Sequence, residues 1–465
     1  MGYMSFLAVA AAIGGFLFGY DTAVISGTVG QVAAQFGLDA LNSGWYVGCA
    51  LVGSISGVLV AGVLSDNMGR KKTLLLSALL FSSSALLCTF SEGFNALVIA
   101  RVIGGMGIGV VSIVSPLYIS EVSAPQYRGR LVSLYQLAVT IGFLGAYLVN
   151  FGLLNYSEGR AADLASPQLR FIFHDEVWRA MLGMAFIPSI LFFAMIFFIP
   201  ESPRWLILKY RENKSLYILK RIFGTTEAAE YEMNETKKTA QADAGKTDWR
   251  VILRPNIFRA VLIGAAIAIL GQFMGVNAVL YYGPSIFESA GLSSGDSLGY
   301  QVIVGLVNVV TTILAVFIID KVGRKKLVYF GVSGMIVCLA LIALYFSFAG
   351  QWGLSSTVLL VFFLLYVFSC AISISAVIFV FLSEMYPIKV RGVAMSVAGF
   401  SLWIGTYLIG QLTPWLLETL TPAGTFVLFA VMCIPYMLIV WKLMPETAGK
   451  SLEEIETFWE RKGEN

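Results

Sequence analysis

Long apolar stretches separated by short polar segments make up most of this chain. Each holds about 20 or more mostly apolar residues, which is enough for an α-helix to cross the hydrocarbon core of a bilayer. Twelve can be drawn, at residues 6–28, 44–65, 73–91, 94–119, 131–153, 180–200, 256–283, 297–319, 327–348, 355–382, 392–416 and 424–444. The first is too long for the apolar core of a signal peptide and is interpreted as a spanning helix. The pattern predicts an all-α membrane protein with twelve transmembrane helices.

Composition supports the membrane class and argues against an enzyme. Charged residues are 13% of the 465 residues and the mean hydropathy is +0.80, whereas soluble proteins carry about 25% charge. Each cysteine lies inside an apolar stretch without metal-like spacing, which predicts five small core residues and no metal or cofactor. The chain shows no catalytic constellation and no phosphate-binding G-x-x-x-x-G-K-[ST] loop. The glycines at 104–109 therefore indicate close helix packing.

The distribution of Lys and Arg predicts the orientation. Nearly all of the 31 basic residues fall in the even-numbered connections, the central polar segment and the C-terminal segment. Because basic loops stay in the cytoplasm, both termini and the middle loop are expected there, with short loops that suit a bacterial inner membrane. The basic segments flank the lipid bilayer, so binding to nucleic acid is not indicated.

Two motifs recur once in each half of the chain. SDNMGRKK at 65–72 returns as IDKVGRKK at 319–326, and LYISEVSAPQYRGRL at 117–131 is echoed by FLSEMYPIKVRGVAM at 381–395. Such a repeat predicts two pseudo-symmetric bundles of six helices. The expected divisions are an N-terminal bundle at 1–200, a cytoplasmic linker with short helices at 201–255, a C-terminal bundle at 256–444 and a cytoplasmic tail at 445–465.

The recurring loop motifs predict a cytoplasmic gate. Their Gly permits a tight turn, and their Asp can pair with the following Arg. Glu121 with Arg128, and Glu384 with Arg391, can add charge-assisted bonds that hold one conformation closed. The simpler alternative is that the positive charge only sets topology. The predicted gate residues are Asp66, Arg70, Glu121, Arg128, Glu201, Arg204, Asp320, Arg324, Glu384 and Arg391.

The order of the motifs resembles a known family. The matching stretches include GGFLFGYDTAVISG (14–27), DNMGRKK (66–72), ARVIGGMGIG (100–109), PESPRWL (200–206), GVNAVLYYGPSIF (275–287), LSEMYPIKVRG (382–392) and PETAGKSLEEIE (445–456). Taken together, they resemble the sugar-porter family of the major facilitator superfamily, most closely the bacterial D-xylose:proton symporters. The resemblance implies the major facilitator fold and a monosaccharide substrate.

The resemblance also implies a sugar site near the bilayer midplane. The positions that match the family's sugar-contacting residues are Gln136, Gln272, Asn277, Asn308 and Trp403. Phe18, Tyr281 and Tyr282 are expected wall residues, and Phe379 stands at a further substrate-binding position. Amides suit this role because each can donate to and accept from a sugar hydroxyl without carrying charge. Amides can also simply bond helix to helix, which is common in membranes.

Three positions depart from the family pattern. Gly271 stands where the family has the first of two glutamines, Phe379 where it has Trp, and Leu402 where it has Asn or Gln. Each lost hydrogen-bonding group would weaken recognition of a sugar hydroxyl by about 1 kcal/mol or more. The substrate therefore stays open among pentoses, hexoses, deoxy-sugars and polyols such as inositol.

Asp21 and Arg101 place opposite charges inside apolar stretches. A charge at this depth costs about 2.5–3.5 kcal/mol on insertion scales, so such residues usually pair and face the protein interior. Arg keeps its proton, so any titration falls on Asp21. In the resembling symporters an Asp at this position carries the coupling proton. We therefore expect a monomeric proton symporter that works by alternating access. The alternatives are a permanent structural ion pair in a passive uniporter and, more remotely, a transporter-like sugar receptor.

Overall fold

The structure confirms a helical membrane protein. The computed structural model describes residues 2–159, 164, 166–243, 255–386, 391–444 and 446. Regular structure within these ranges is helical, without a strand. Eleven helices there are long and apolar enough to cross a membrane, and Ser356–Ile372 is a shorter apolar helix at the tenth predicted stretch. Each of the twelve predicted stretches thus coincides with a helix or a pair of consecutive helices.

Contacts divide the chain into two compact units. The first comprises residues 1–31 and 49–246. The helices that begin in it or cross its borders are α1 Gly2–Ala23, α2 Ile25–Phe36, α3 Ala40–Met68, α4 Arg70–Thr89, α5 Phe94–Val122, α6 Pro125–Gly159, α7 Pro167–Arg170, α8 Val177–Gly183, α9 Phe186–Phe198, α10 Pro203–Leu208, α11 Glu212–Phe223 and α12 Thr226–Asp243. A single π-helical turn, Phe171–Asp175, follows α7.

The second unit comprises residues 32–48 and 247–465. Its further helices are α13 Pro255–Phe273, α14 Val276–Ser289, α15 Ser294–Val322, α16 Arg324–Trp352, α17 Ser356–Ile372, α18 Ile374–Met385, α19 Arg391–Thr419 and α20 Thr421–Lys442. Three short helices, α10 to α12, lie in the segment predicted as a linker. The predicted boundaries of the two bundles, the linker and the tail stay a prediction.

Glycines let helices of the first unit cross at backbone contact. A Cβ added at Gly105 on α5 would lie 2.0 Å from the carbonyl oxygen of Ala50 on α3, and one at Gly57 would lie 2.3 Å from that of Met106. Small residues at four-residue spacing permit this approach in membrane helices. The prediction that the 104–109 glycines serve helix packing is confirmed. On α1, a Cβ at Gly19 would lie 1.9 Å from the Val139 carbonyl oxygen of α6.

Several predicted continuous spans are interrupted. The first breaks at Val24 between α1 and α2, the seventh at Gly275 between α13 and α14, and the tenth at Ser373 between α17 and α18. Gly275 has φ +88, a conformation that glycine adopts at little cost. Apolar patterning does not record such breaks because the side chains on both sides of each break remain apolar. The first and seventh interruptions lie close to the polar residues of the candidate site.

Candidate functional site

A buried ion pair joins α1 to α5 in the first unit. Arg101 Nη1 lies 3.1 Å from Asp21 Oδ1, and the two residues are 3% and 6% exposed. Both terminal nitrogens of Arg101 also donate to the Asp21 backbone carbonyl at 3.4 Å. Asp21 lies in the last turn of α1, where carbonyl groups lose their helical partners and a cation is favourable. The predicted juxtaposition of Asp21 with Arg101 is present.

The two carboxylate oxygens of Asp21 differ in their hydrogen bonding. Oδ2 is buried and has no hydrogen-bond partner within the described residues. A buried polar atom without a partner is costly, so this oxygen marks where the group would bind a proton. Room around the carboxylate comes from Gly104 on α5, because a Cβ there would lie 3.6 Å from Asp21 Oδ1 and 2.5 Å from Ser84 Oγ.

Three polar side chains form a cluster beside the break in the seventh span. Asn277 Nδ2 donates to Gln272 Oε1 at 2.6 Å. The single hydroxyl proton of Thr406 is shared between the same oxygen, at 3.2 Å, and the Leu402 carbonyl, at 2.9 Å. Gln272 lies in the last turn of α13, Asn277 in the first turn of α14, and Thr406 on α19. The structure thus brings two of the predicted sugar ligands together. Sequence analysis missed Thr406, although it follows the predicted Trp403 by nearly one helical turn.

The other predicted wall residues of the second unit differ in environment. Trp403, Tyr281 and Tyr282 are buried, and the Tyr282 hydroxyl donates to the Gly410 carbonyl. Asn308 on α15 is half-buried. The side chain of Phe379 lies outside the described residues. Tyr282 therefore links α14 to α19, while Asn308 is only partly covered.

Gly271 leaves apolar room beside the amide cluster. A Cβ at this position would approach nothing closer than Tyr436 Cε2 at 3.7 Å and Ile374 Cγ2 at 3.8 Å. Both distances are ordinary van der Waals contacts, so glycine is not required here for packing. The departure from the family's glutamine therefore removes an amide without being enforced by the neighbouring helices.

In the first unit, Gln136 and Phe18 are accessible. Gln136 is exposed on α6 and Phe18 is half-buried on α1. The closest crossing of these helices, at Gly15 and Gly19, flanks Phe18 in sequence. Gln136 and Phe18 therefore both keep accessible surface that a solute could contact.

An ionic cluster joins the loop ends of α3, α4 and α5. Arg70 makes a two-pronged contact with Glu121, through Nε to Oε2 and Nη2 to Oε1, each at 3.0 Å. Its Nη1 also bonds Asp66 Oδ1 at 3.0 Å. The predicted pairing of Glu121 with Arg128 is wrong in this structure, because Arg70 occupies the carboxylate and Arg128 Nε donates to the Ser120 carbonyl. The spacing of charges along the sequence does not distinguish Arg70 from Arg128 as the partner of Glu121.

Glu201 caps the start of α4 next to this cluster. Its Oε1 accepts from the backbone amides of Lys71 at 3.0 Å and Ser202 at 2.9 Å. Burial raises the pKa of the Glu201 carboxyl above its ordinary value near 4.5, while those hydrogen bonds and the Arg70 charge oppose the rise. Gly69, at φ +95, makes the turn, and a Cβ there would lie 2.2 Å from Glu201 Oε2. Arg204 is exposed on α10.

The second unit repeats this arrangement. The backbone amide of Lys325 donates to Glu446 Oε2 at 3.1 Å, as Lys71 does to Glu201, and Gly323 makes the turn at φ +92. Arg324 Nη1 donates to the Ile319 carbonyl at 3.5 Å. The side chains of the predicted gate residues Asp320, Glu384 and Arg391 lie outside the described part of the chain. Glu446 was missed, although P-E-S at 200–202 and P-E-T at 445–447 place it at the matching point of each half.

Comparisons with known proteins agree with the helical membrane architecture. The family model described as "Sugar (and other) transporter" matches residues 7–459. The chain belongs to this sugar transporter family. The arabinose-proton symporter of Bacillus subtilis is 37% identical over 459 residues, covering 99% of this chain and 96% of the relative. The glucose transporter GlcP of Staphylococcus epidermidis is 36% identical, covering 96% and 95%.

A solved structure of the same family matches nearly the whole fold. The Escherichia coli xylose transporter XylE, in a partially occluded inward-open conformation, superposes with TM-score 0.82 at 30% identity. The match covers 97% of this chain and 100% of that protein. Family membership establishes a multi-span membrane protein of the transporter class. The described residues hold no group of three or more His, Cys, Asp or Glu side chains that could bind a metal.

Proposed function

We propose that this protein imports a monosaccharide, a pentose or a hexose, by proton symport with alternating access. The observation that carries the proposal is the buried pair of Asp21 and Arg101, with one carboxylate oxygen lacking a partner. A titratable acid inside a spanning helix is costly, and such residues usually mark a proton or substrate pathway. Relatives named as an arabinose-proton symporter and a glucose transporter support the substrate class.

Coupling follows from the chemistry of the pair. Arg101 keeps its proton, so the only group of the pair that can bind and release one is Asp21. A proton on Oδ2 neutralises the carboxylate and weakens its attraction for Arg101, which frees α1 to move relative to α5. A conformational change that draws the two apart favours the protonated acid in return. Sugar and proton then raise each other's affinity by the same factor.

In the second unit, sugar recognition falls to the amide cluster; Gln136 and Phe18 are the candidate sugar contacts of the first unit. Gln272 and Asn277 hold each other in place, so both are oriented before a sugar arrives. Sugar hydroxyls can replace the bond between these amides, since each hydroxyl both donates and accepts. Trp403 and Tyr281 would cover the apolar faces of the ring. Relatives named for arabinose, glucose and xylose leave the choice among pentoses and hexoses.

The proposed function also includes a coupling ion, an oligomeric state, a membrane location and a gate. The proton is the coupling ion and no other cofactor is needed, and the chain acts as a monomeric transporter rather than an enzyme. Its surroundings are a bacterial inner membrane, with both termini and the basic loops on the cytoplasmic side. The ionic cluster around Arg70 and Glu121, with its counterpart in the second unit, serves as the cytoplasmic gate. Such charge-assisted bonds must break and re-form during each transport cycle.

The test is accumulation in proteoliposomes. The native chain and Asp21→Asn are given arabinose, D-xylose or glucose with and without an inward proton gradient. Native protein should concentrate one of these sugars above equilibrium only with the gradient, and Asp21→Asn should equilibrate it without concentrating it. Asp39→Asn is the matched control, because Asp39 is exposed and Asn42 donates to it at a helix start, a role that Asn also fills. Gradient-independent equilibration by the native chain would identify a uniporter instead.

A further inference from the structure

The interruption between α1 and α2 is not imposed by a proline. The segment from Tyr20 to Thr28 contains none, although proline is the commonest cause of a sharp break in a helix. Side chains bond several carbonyls there, in addition to the backbone bonds from Val24 N–H to Tyr20 and from Gly27 N–H to Val24. Arg101 donates to the Asp21 carbonyl, and the Ser26 hydroxyl donates to the Ala23 carbonyl at 2.8 Å. The break therefore combines a tightened backbone turn with side-chain hydrogen bonds that can be exchanged.

Asn150 on α6 supplies the third of these bonds. Its Nδ2 donates to the Val24 carbonyl at 3.0 Å, and the residue is 0% exposed. Its Oδ1 is buried without a hydrogen-bond partner in the described ranges. Because a carbonyl only accepts, Nδ2 must face Val24, and the orphan oxygen is not an error of amide orientation. Gly27 makes room, since a Cβ there would lie 2.5 Å from Nδ2.

The second unit contains a comparable amide with a different cause. Gln301 on α15 is also 0% exposed, and its Nε2 donates to the carbonyls of Val279 and Leu280 at 3.3 Å. Pro284 lies four residues after Leu280 and has no N–H, so the Leu280 carbonyl lacks its helical donor. Gln301 thus replaces a backbone donor that proline removes in every conformation. At Val24 no donor is missing from the chain, because the Gly27 N–H bonds the Val24 carbonyl at 3.3 Å and Thr28, four residues on, is not a proline.

We propose that Asn150 is a positioning residue for proton coupling. Its bond to Val24 keeps α1 and α2 as two helices, so that the last turn of α1 presents both the carbonyl and the carboxylate of Asp21 to Arg101. Release of Val24 lets α1 and α2 join as one helix and withdraws the Asp21 carbonyl from Arg101. The inference rests on the proposed symport, which it extends from Asp21 to the side chain that sets its position.

The groups that face Asp21 come from several helices. Arg101 of α5 pairs with it, and Tyr20 is its neighbour on α1. Cys49 of α3 and Cys88 of α4 also lie within electrostatic range of both Asp21 and Arg101. Asn150 of α6 is uncharged and acts through the backbone. Its removal therefore leaves the charges around Asp21 unchanged and alters only their geometry.

The experiment uses the full chain in proteoliposomes with whichever of arabinose, D-xylose or glucose the native protein moves. Sugar exchange without a gradient and proton-driven accumulation are both measured, and exchange is followed from pH 5 to 9. Asn150→Ala removes the donor. Asn150→Asp keeps the shape, and its acid donates to the carbonyl only when protonated. Asn155→Ala is the matched control, because Asn155 is exposed on the same helix.

We expect Asn150→Ala to retain exchange, to lose about tenfold in accumulation ratio and to shift the pH midpoint of exchange. Asn150→Asp should accumulate sugar at acidic pH and lose accumulation at alkaline pH, while Asn155→Ala behaves as native. Native accumulation and an unmoved midpoint in Asn150→Ala would overturn the inference. If Asn150→Ala does not insert stably, native-like accumulation by Asn150→Asp at all pH values would overturn it instead. Failure of the native chain to accumulate any sugar would reject the symport proposal itself.

Discussion

Replacing Arg70 by Ala should destabilise the first unit strongly, and the contacts allow the size to be worked out. Arg70 bonds Glu121 twice, Asp66 once and the Ser65 carbonyl once. The Asp66 side chain is 73% exposed, so that pair is worth about 0–1 kcal/mol. The Glu121 side chain is 3% exposed, and a buried charge left without its partner costs about 3–5 kcal/mol. Arg70→Ala should therefore cost about 3–5 kcal/mol.

The measurement is the free energy of unfolding of purified protein in detergent, from denaturant titration. Lys72→Ala is the control, because Lys72 is exposed in the same loop end and should change stability by less than about 0.5 kcal/mol. Adding Glu121→Gln to Arg70→Ala removes the uncompensated charge and should recover part of the loss. A loss below about 1 kcal/mol for Arg70→Ala would show that the cluster is weak and would refute this reasoning.

Three further outcomes are expected. Gln272→Ala should raise the sugar concentration for half-maximal exchange about tenfold, because one oxygen that bonds two neighbouring side chains is lost. An unchanged half-maximal concentration would show that Gln272 does not contact the sugar. The pKa of Glu201 is raised, so the free energy of unfolding of the native chain should fall as pH rises through and above about 4.5. Glu201→Gln should lack this fall. Equal pH profiles for the native chain and Glu201→Gln would contradict the effect of burial. Gly69→Ala should lower the free energy of unfolding by about 1–3 kcal/mol, because alanine is strained in the positive-φ conformation of this position. Gly62→Ala is the control, because open space surrounds Gly62, and it should not lower stability. Similar melting temperatures for the two variants would disprove this expectation.

The elements that the sequence predicted well are those recorded in local composition. Apolar runs about 20 residues long give the spans directly, since a bilayer imposes their length. Asp21 and Arg101 stood out because charge is rare inside such runs and buried charges usually pair. The turn glycines Gly69 and Gly323 were also predictable, because the motif recurs and both need positive φ.

The elements that escaped prediction depend on contacts between distant segments. Arg70 rather than Arg128 meets Glu121 because helix ends converge in space, which loop spacing does not encode. Thr406 joins the amide cluster through the packing of α19 on α13, and a threonine in an apolar run carries no signal by itself. The break at Val24 was hidden because Asn150, more than a hundred residues away in sequence, supplies the hydrogen bond that maintains it.

The central claim is that a proton moves with the sugar through Asp21. Its most direct test is proton flux driven by sugar alone, in proteoliposomes that contain a pH-sensitive dye and start without any pH gradient. An inward gradient of the transported sugar should acidify the lumen with the native chain and with Asp39→Asn, and should leave the pH constant with Asp21→Asn. Sugar entry without acidification in the native chain, or equal acidification in Asp21→Asn, would contradict the account.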